Sequence, residues 1–112
     1  MQAILELATR LGKAIADSPQ AAKLRAAREE LNRHAELTAA LKDFSAHADK
    51  VAKLEAEGKP VEVDDKRRLA ELEDKLVSNE VFKRYTAAQV DYVDLMRKVN
   101  AELRKQLAPV EE

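Results

Sequence analysis

The sequence predicts an all-α fold, which we expect to be an elongated antiparallel bundle of about four helices, arranged as two helical hairpins that self-associate. Ala, Leu, Glu, Lys and Arg dominate the 112 residues, as they do in long helices. Apolar side chains recur at spacings of three and four, which is the period of an amphipathic helix. The two Gly and three Pro cluster at a few sites. The length predicts a single helical domain over residues 1–112.

Composition excludes several classes of protein. The charged side chains nearly cancel, with 20 Lys and Arg against 21 Asp and Glu, so no strong field attracts nucleic acid or an anionic membrane. The absence of cysteine excludes disulfides, thiolate metal sites and cysteine nucleophiles. The first turns lack the basic region and cleavage site of a signal peptide, and no apolar run reaches the roughly 20 residues of a membrane span. We therefore expect a cytoplasmic protein without a cofactor.

The first predicted helix covers residues 3–16. Small residues spaced four apart lie beside its apolar stripe and would let another helix approach closely, which accounts for Gly12 within a helix. Ser18 is expected to cap the second helix, with Pro19 at its first position. The apolar stripe of the first helix consists of Ile4, Leu7, Leu11 and Ile15.

The second predicted helix covers residues 19–57 and ends at Gly58 and Pro60. Its apolar pattern weakens over residues 32–34, where we expect a bend. At 1.5 Å per residue it would extend about 58 Å, which implies an elongated shape.

The third and fourth predicted helices cover residues 65–77 and 80–107. Asp64 or Asp65 should begin the third helix, and Ser78 or Asn79 should cap the fourth. Pro109 is expected to close the fourth helix.

A row of aromatic side chains on the fourth helix could stack on a ligand or anchor a partner helix, but its continuation into one long apolar stripe favours core packing or a subunit interface. Phe82, Tyr85, Gln89 and Tyr92 share one face. If Gln89 is buried, it could fix the register between helices. The expected interface or core seam comprises Phe44, Phe82, Tyr85, Gln89, Tyr92, Leu95 and Val99, which Leu41 and Val51 would extend; the sequence does not separate seam from core.

Neither a metal site nor a catalytic site is expected. The residues three before His34 and His47 are not glutamates, so the Glu-x-x-His motif of di-metal bundles is absent. The histidines are expected to pair locally with Glu30 and Asp43. No glycine-rich elbow surrounds any serine, and most acids have a base one turn away, as Glu80 has Arg84 and Asp94 has Lys98. We therefore do not expect an enzyme.

Two other functions fit the composition. Lys66, Arg67 and Arg68 form the densest basic run and could bind RNA or DNA, although acids lie close by. A coiled-coil holdase chaperone would need an exposed apolar patch larger than a few hundred Å². We expect instead an adaptor that presents helical faces to other proteins.

The order of these features resembles the YlbF/YmcA family of small helical bacterial regulators. The resemblance runs from ILELATRLGKAI into DSPQAAKLRAAREEL, through LTAALKDF and the break at Gly58 and Pro60. It ends on NEVFKRYTAAQVDYVDLMRKVNAEL, which holds the row of Phe82, Tyr85, Gln89 and Tyr92.

This resemblance implies a non-enzymatic, usually dimeric all-α regulator of competence, biofilm formation and sporulation. It also implies a complex with related regulators that modulates an endoribonuclease and RNA maturation. Iron–sulfur clusters of some such complexes are attributed to cysteines. This sequence has none, so thiolate ligation is not implied.

Overall fold

Residues 1–111 are described by a computed structural model in which 88% of the chain is helical and no strand forms within those residues. The predicted all-α class is confirmed. Five helices follow one another in these residues: α1 (Gln2–Ala16), α2 (Pro19–Asn32), α3 (Ala35–Ala56), α4 (Val63–Val77) and α5 (Glu80–Glu111).

The predicted count of four helices is corrected to five, because the helix predicted over residues 19–57 is interrupted. The predicted bend is a full break, in which His34 takes an extended backbone conformation (φ −106°, ψ 92°) and becomes the N-cap of α3. The helix restarts where the Thr38 N–H donates to the His34 carbonyl at 3.0 Å. The break therefore separates a short helix from a longer one.

The local signals at the other boundaries act much as expected. The Ala21 N–H donates to Ser18 Oγ at 3.2 Å, which caps α2. Of the two predicted caps for α5, Asn79 is the one used, since its Oδ1 accepts from the Phe82 N–H at 3.1 Å. At the end of α3, Gly58 adopts φ 69°, a left-handed conformation that favours glycine. There the Lys59 N–H donates to the Leu54 carbonyl at 2.9 Å, which ends the helix.

Two helix ends differ from the sequence prediction. α4 begins at Val63 with Glu62 as its N-cap, one residue before the predicted aspartates. α5 does not stop before Pro109 but includes it and continues to Glu111. The Lys105 carbonyl, which would accept from position 109, lies on an exposed stretch, where water can replace the missing N–H donor.

The described chain forms two compact units. The first comprises Met1–Arg28 together with the chain from Tyr85 onward, and the second comprises Glu29–Arg84, so that α2 and α5 contribute to both. The predicted single domain and elongated shape stay predictions.

The second unit is organised by the packing of α3 on α4. Ion pairs join Asp43 to Arg68 at 3.2 Å and Lys50 to Asp65 at 3.0 Å. The numbering rises along α3 while it falls along α4, so the two helices are antiparallel. Their buried residues are Leu37, Ala40, Leu72 and Leu76.

The first unit has a small core built from α2 and α5. Leu24, Ala27 and Ala88 are buried together, and the rings of Tyr85 and Tyr92 pack against them. α1 is attached at its end, where Arg25 Nη1 donates to the Ala16 carbonyl at 2.9 Å. α1 itself contributes no buried residue.

Candidate interaction surface

The apolar stripe of α1 is exposed. Leu11, Leu7 and Ile4 show 39–70% of their surface to solvent, whereas Ile15 at the end of the helix is half-buried. These four residues, called the α1 stripe below, follow the spacing of a helix that buries one face against a partner. Within residues 1–111, no element covers most of that face.

A second exposed stripe lies at the end of α5. On the face of α5 that holds Tyr85 and Tyr92, the large apolar side chains are half-buried as far as Val99. Beyond that point Leu103 and Leu107 continue the same helix face and remain 45–47% exposed, followed by the exposed Val110. These last three residues are called the α5 end below. Helix α5 is therefore a core helix in its first half and a surface helix in its second.

A cleft of about 340 Å³ lies in the first unit and is lined by residues of α1, α2 and α5. Gly12 borders it, and a methyl group added there would meet no atom within 4 Å. The close helix approach that the small residues of α1 predict is therefore absent around Gly12. The other residues lining the cleft are Ile15, Ala16, Ala21, Leu24, Arg25, Arg28 and Tyr92.

The residues predicted to form a seam separate into two groups. Tyr85 and Tyr92 pack against the core of their own unit, so the partial burial of each ring does not require a partner. Gln89 is exposed and borders a shallow depression. The role of these residues in an interface stays a prediction. The half-buried members of the predicted seam are Phe44, Phe82, Tyr85, Tyr92, Leu95 and Val99, with Leu41 and Val51 also half-buried.

Sequence reasoning missed two exposed apolar residues beside Gln89. Val90 and Val93 are both exposed and border the same depression, together with Asp91, Asp94 and Arg97. They lie off the apolar stripe of α5, so the helical period alone gives no signal for them. Only the structure identifies them, because it leaves both side chains exposed beside charged residues that pair with one another.

The predicted basic run is partly neutralised. Arg68 pairs with Asp43 across α3 and α4, and both residues line an open groove of about 500 Å³. That groove also contains the acids Glu36 and Glu71 and the base Lys75. Its walls therefore carry both positive and negative charges, and this mixture does not favour the binding of a polyanion such as nucleic acid.

Some ion pairs differ from the local pairs that the sequence predicts. Arg84 does not pair with Glu80; it donates to Glu30, while Glu80 pairs with Lys83 at 3.3 Å. The Asp94–Lys98 pair is confirmed at 3.0 Å. His47 contacts the backbone carbonyl of Asp43 at 3.2 Å, while the Asp43 carboxylate pairs with Arg68.

The hydrogen bond from Arg84 holds the pKa of Glu30 below its ordinary value of 4.5, and the positive charge of Arg84 adds to the effect. The same bond raises the pKa of Arg84. A carboxylate with a lowered pKa stabilises the fold above its ordinary pKa, and this stabilisation is lost as the pH falls through the lowered value.

We therefore expect Glu30→Gln to destabilise the protein at neutral pH and to lose this effect on acidification. Urea denaturation of wild type and variant from about pH 7 to about pH 3 measures the difference. Glu29→Gln is the control, because it removes the same charge from the neighbouring exposed position. A difference between wild type and Glu30→Gln that does not change with pH would contradict the ion pair.

No group of three or more His, Asp or Glu side chains that could hold a metal ion is present among residues 1–111. Over the same stretch, none of the helices combines the length and apolar character that a membrane crossing requires. The described residues thus define a small all-α protein with exposed apolar side chains on the α1 stripe, at the α5 end and at Val90 and Val93.

A family model described as control of competence regulator ComK, YlbF/YmcA, matches residues 4–108. The chain belongs to the YlbF/YmcA family, and the resemblance seen in the sequence is confirmed. Comparison with curated proteins finds no match. The family description indicates a regulatory role.

Proposed function

We propose that this chain is a non-enzymatic regulator that acts through contacts with other proteins. The observation that supports the proposal is the exposure of the α1 stripe, a complete helical apolar face with three large side chains in solvent. Soluble monomers rarely leave contiguous apolar patches of several hundred Å² uncovered unless another molecule binds there. The charges elsewhere are mixed in sign, which suits solubility more than polyanion binding.

The family description gives the process that we propose for this chain, which is control of the competence regulator ComK. The resemblance extends the proposal to biofilm formation, sporulation and RNA maturation. In that extension the chain works as an adaptor in a complex with related regulators and an endoribonuclease. The helical surface would position the partners, and the chemistry would belong to the ribonuclease.

A genetic experiment in the native host tests the regulatory proposal. We expect deletion of the gene to change ComK-dependent DNA uptake, and expression of the wild-type chain to restore it. The measurement of DNA uptake does not depend on any assumed partner, because it follows the outcome of regulation. Normal DNA uptake and normal ComK levels in the deletion strain would contradict the proposed process.

Direct nucleic-acid binding is the principal alternative, and we expect it to be absent at physiological salt. Fluorescence anisotropy with labelled single-stranded RNA and duplex DNA measures it, over a salt series. A variant with Lys66, Arg67 and Arg68 all replaced by alanine is the comparison. Binding by wild type that weakens steeply with salt and is lost in this variant would establish the alternative and overturn the adaptor proposal.

A holdase chaperone is a second candidate, because the exposed α1 stripe supplies the apolar surface that this function needs. The distinguishing measurement is light scattering by an aggregating client protein. The adaptor proposal predicts no suppression of aggregation at equimolar concentration. Suppression by wild type and its loss in Leu7→Glu would favour the chaperone.

A further inference from the structure

The cleft beside Gly12 has a mostly apolar lining. Its large apolar groups come from three helices, with Ile15 on α1, Leu24 on α2 and Tyr92 on α5. Its volume of about 340 Å³ lies at the lower end of the range of roughly 300–1,000 Å³ that small-molecule sites occupy. All of its lining residues belong to the first unit, so the site is built within one compact part of the chain.

Gly12 keeps part of this cleft open. Glycine weakens the interior of a helix, and the backbone at this position does not require it, since Gly58 is the only glycine with positive φ among residues 1–111. No neighbouring helix uses the space either, because a methyl group added at Gly12 would meet no atom within 4 Å. The space beside Gly12 is therefore available to a bound molecule.

Two arginines of α2 supply the charge of the cleft. Arg25 and Arg28 are three residues apart, on one face of the helix, and both line the cleft. Neither guanidinium takes part in an ion pair within residues 1–111. Arg25 donates one of its N–H groups to the Ala16 carbonyl at 2.9 Å, which holds its side chain beside α1 and leaves other donors for a ligand. The described residues that line the cleft include no acid, so its charged groups are all positive.

An apolar lining with two guanidinium groups suits a molecule that is both apolar and anionic. A planar guanidinium matches a carboxylate through paired N–H···O bonds. A carboxylate suits this cleft better than a doubly charged phosphate, because the last residue of α1, Ala16, lines it. The helix dipole places partial negative charge at that end of α1, and this charge opposes a second negative charge on the ligand.

We propose that this cleft binds a small amphipathic carboxylate, with the carboxylate on Arg25 and Arg28 and an apolar chain or ring in the space beside Gly12. The site goes beyond the proposed regulatory function, which does not require it. Tyr92 packs on the core of the unit and is only half-buried, so part of its surface remains for the ligand.

Isothermal titration calorimetry with octanoate tests the proposal. We expect a dissociation constant on the order of 0.5 mM, an ordinary affinity for a ligand of about ten non-hydrogen atoms in an open cleft. Butyrate keeps the carboxylate but loses much of the chain, and we expect it to bind at least about tenfold more weakly. 1-Octanol keeps the chain but loses the charge, and we expect it to bind at least about fivefold more weakly. Octyl phosphate should also bind more weakly than octanoate.

Gly12→Leu fills the cleft and should weaken octanoate binding at least about tenfold. The variant removes a glycine from a helix, and its Cβ has free space, so it should keep the helix content of wild type, which circular dichroism checks. The matched control is Ala14→Leu, which adds a leucine at an exposed position of α1 outside the cleft. This control should bind octanoate as wild type does.

Arg25→Gln/Arg28→Gln should weaken octanoate binding at least about fivefold and leave the binding of 1-octanol unchanged. The pair of ligands identifies a contact with the charge, because a disturbed cleft would bind both of them more weakly. The control Arg10→Gln/Lys23→Gln removes two positive charges at exposed positions elsewhere in the first unit and should bind octanoate as wild type does.

Four results would overturn the proposed site. Wild type that does not bind octanoate at about 5 mM has no such site, and binding that persists in Gly12→Leu places the ligand elsewhere. Tighter binding of octyl phosphate than of octanoate would overturn the assignment of a carboxylate. If wild type does not bind octanoate and Gly12→Leu lowers the molar mass in sedimentation equilibrium, the cleft receives a second protein chain instead of a ligand. None of these results changes the expected loss of ComK control in the deletion strain, so the two proposals fail separately.

Discussion

Replacement of Leu76 by alanine is expected to lower the free energy of unfolding by about 2–5 kcal/mol. Leu76 is only 2% exposed and is one of the two buried residues with which α4 packs on α3. The antiparallel pair has few other large buried side chains. Few neighbouring side chains can therefore move to fill the cavity that the loss of Leu76 leaves. Urea denaturation followed by circular dichroism measures the change.

Val77→Ala is the matched control for this prediction. Val77 is the next residue on α4 but is 48% exposed, and its truncation should change the stability by about 0.5 kcal/mol or less. Equal losses in the two variants would mean that Leu76 is not the residue that holds α4 on α3.

Leu24→Ala is expected to cost about 2–4 kcal/mol, because Leu24 is the largest member of the buried cluster in the first unit. The other members, Ala27 and Ala88, are small and cannot fill the cavity. The chain has two tyrosines and no tryptophan, and both tyrosines pack on this cluster. Tyrosine fluorescence therefore reports on the unit that the substitution weakens.

The control for Leu24 is Lys23→Ala, at the neighbouring exposed position of α2. We expect its tyrosine transition to coincide with that of wild type. An unfolding midpoint that stays unchanged in Leu24→Ala would contradict the assignment of this cluster as the core of the first unit.

Local sequence signals predict the helix boundaries well where one residue type decides the backbone. Ser18 and Asn79 each accept a hydrogen bond from a backbone N–H of the helix that they cap, and Gly58 adopts the left-handed conformation that ends a helix. The break at His34 is only weakly signalled, because the surrounding residues include no proline or glycine. There the weakened apolar pattern predicts only a bend, whereas the chain breaks fully at His34.

The apolar stripes are predictable from the sequence, but what covers each of them is not. Periodicity places Leu7 and Tyr92 on apolar faces in the same way. Only the fold separates Tyr92, which packs on a core, from Leu7, which is exposed. Likewise, Glu30 and Arg84 are 54 residues apart, so a rule based on neighbours one helical turn apart assigns Arg84 to Glu80 instead.

Amide hydrogen exchange along α1, measured at high and at low protein concentration, tests most directly whether the predicted self-association covers its apolar face. A helix of 15 residues with no buried side chain is marginal in water, so its amides need a partner to resist exchange. The account predicts strong protection of residues 4–12 in concentrated protein and its loss on dilution, while α3 and α4 stay protected in both. Protection of α1 that does not depend on concentration, or that is missing throughout, would contradict it.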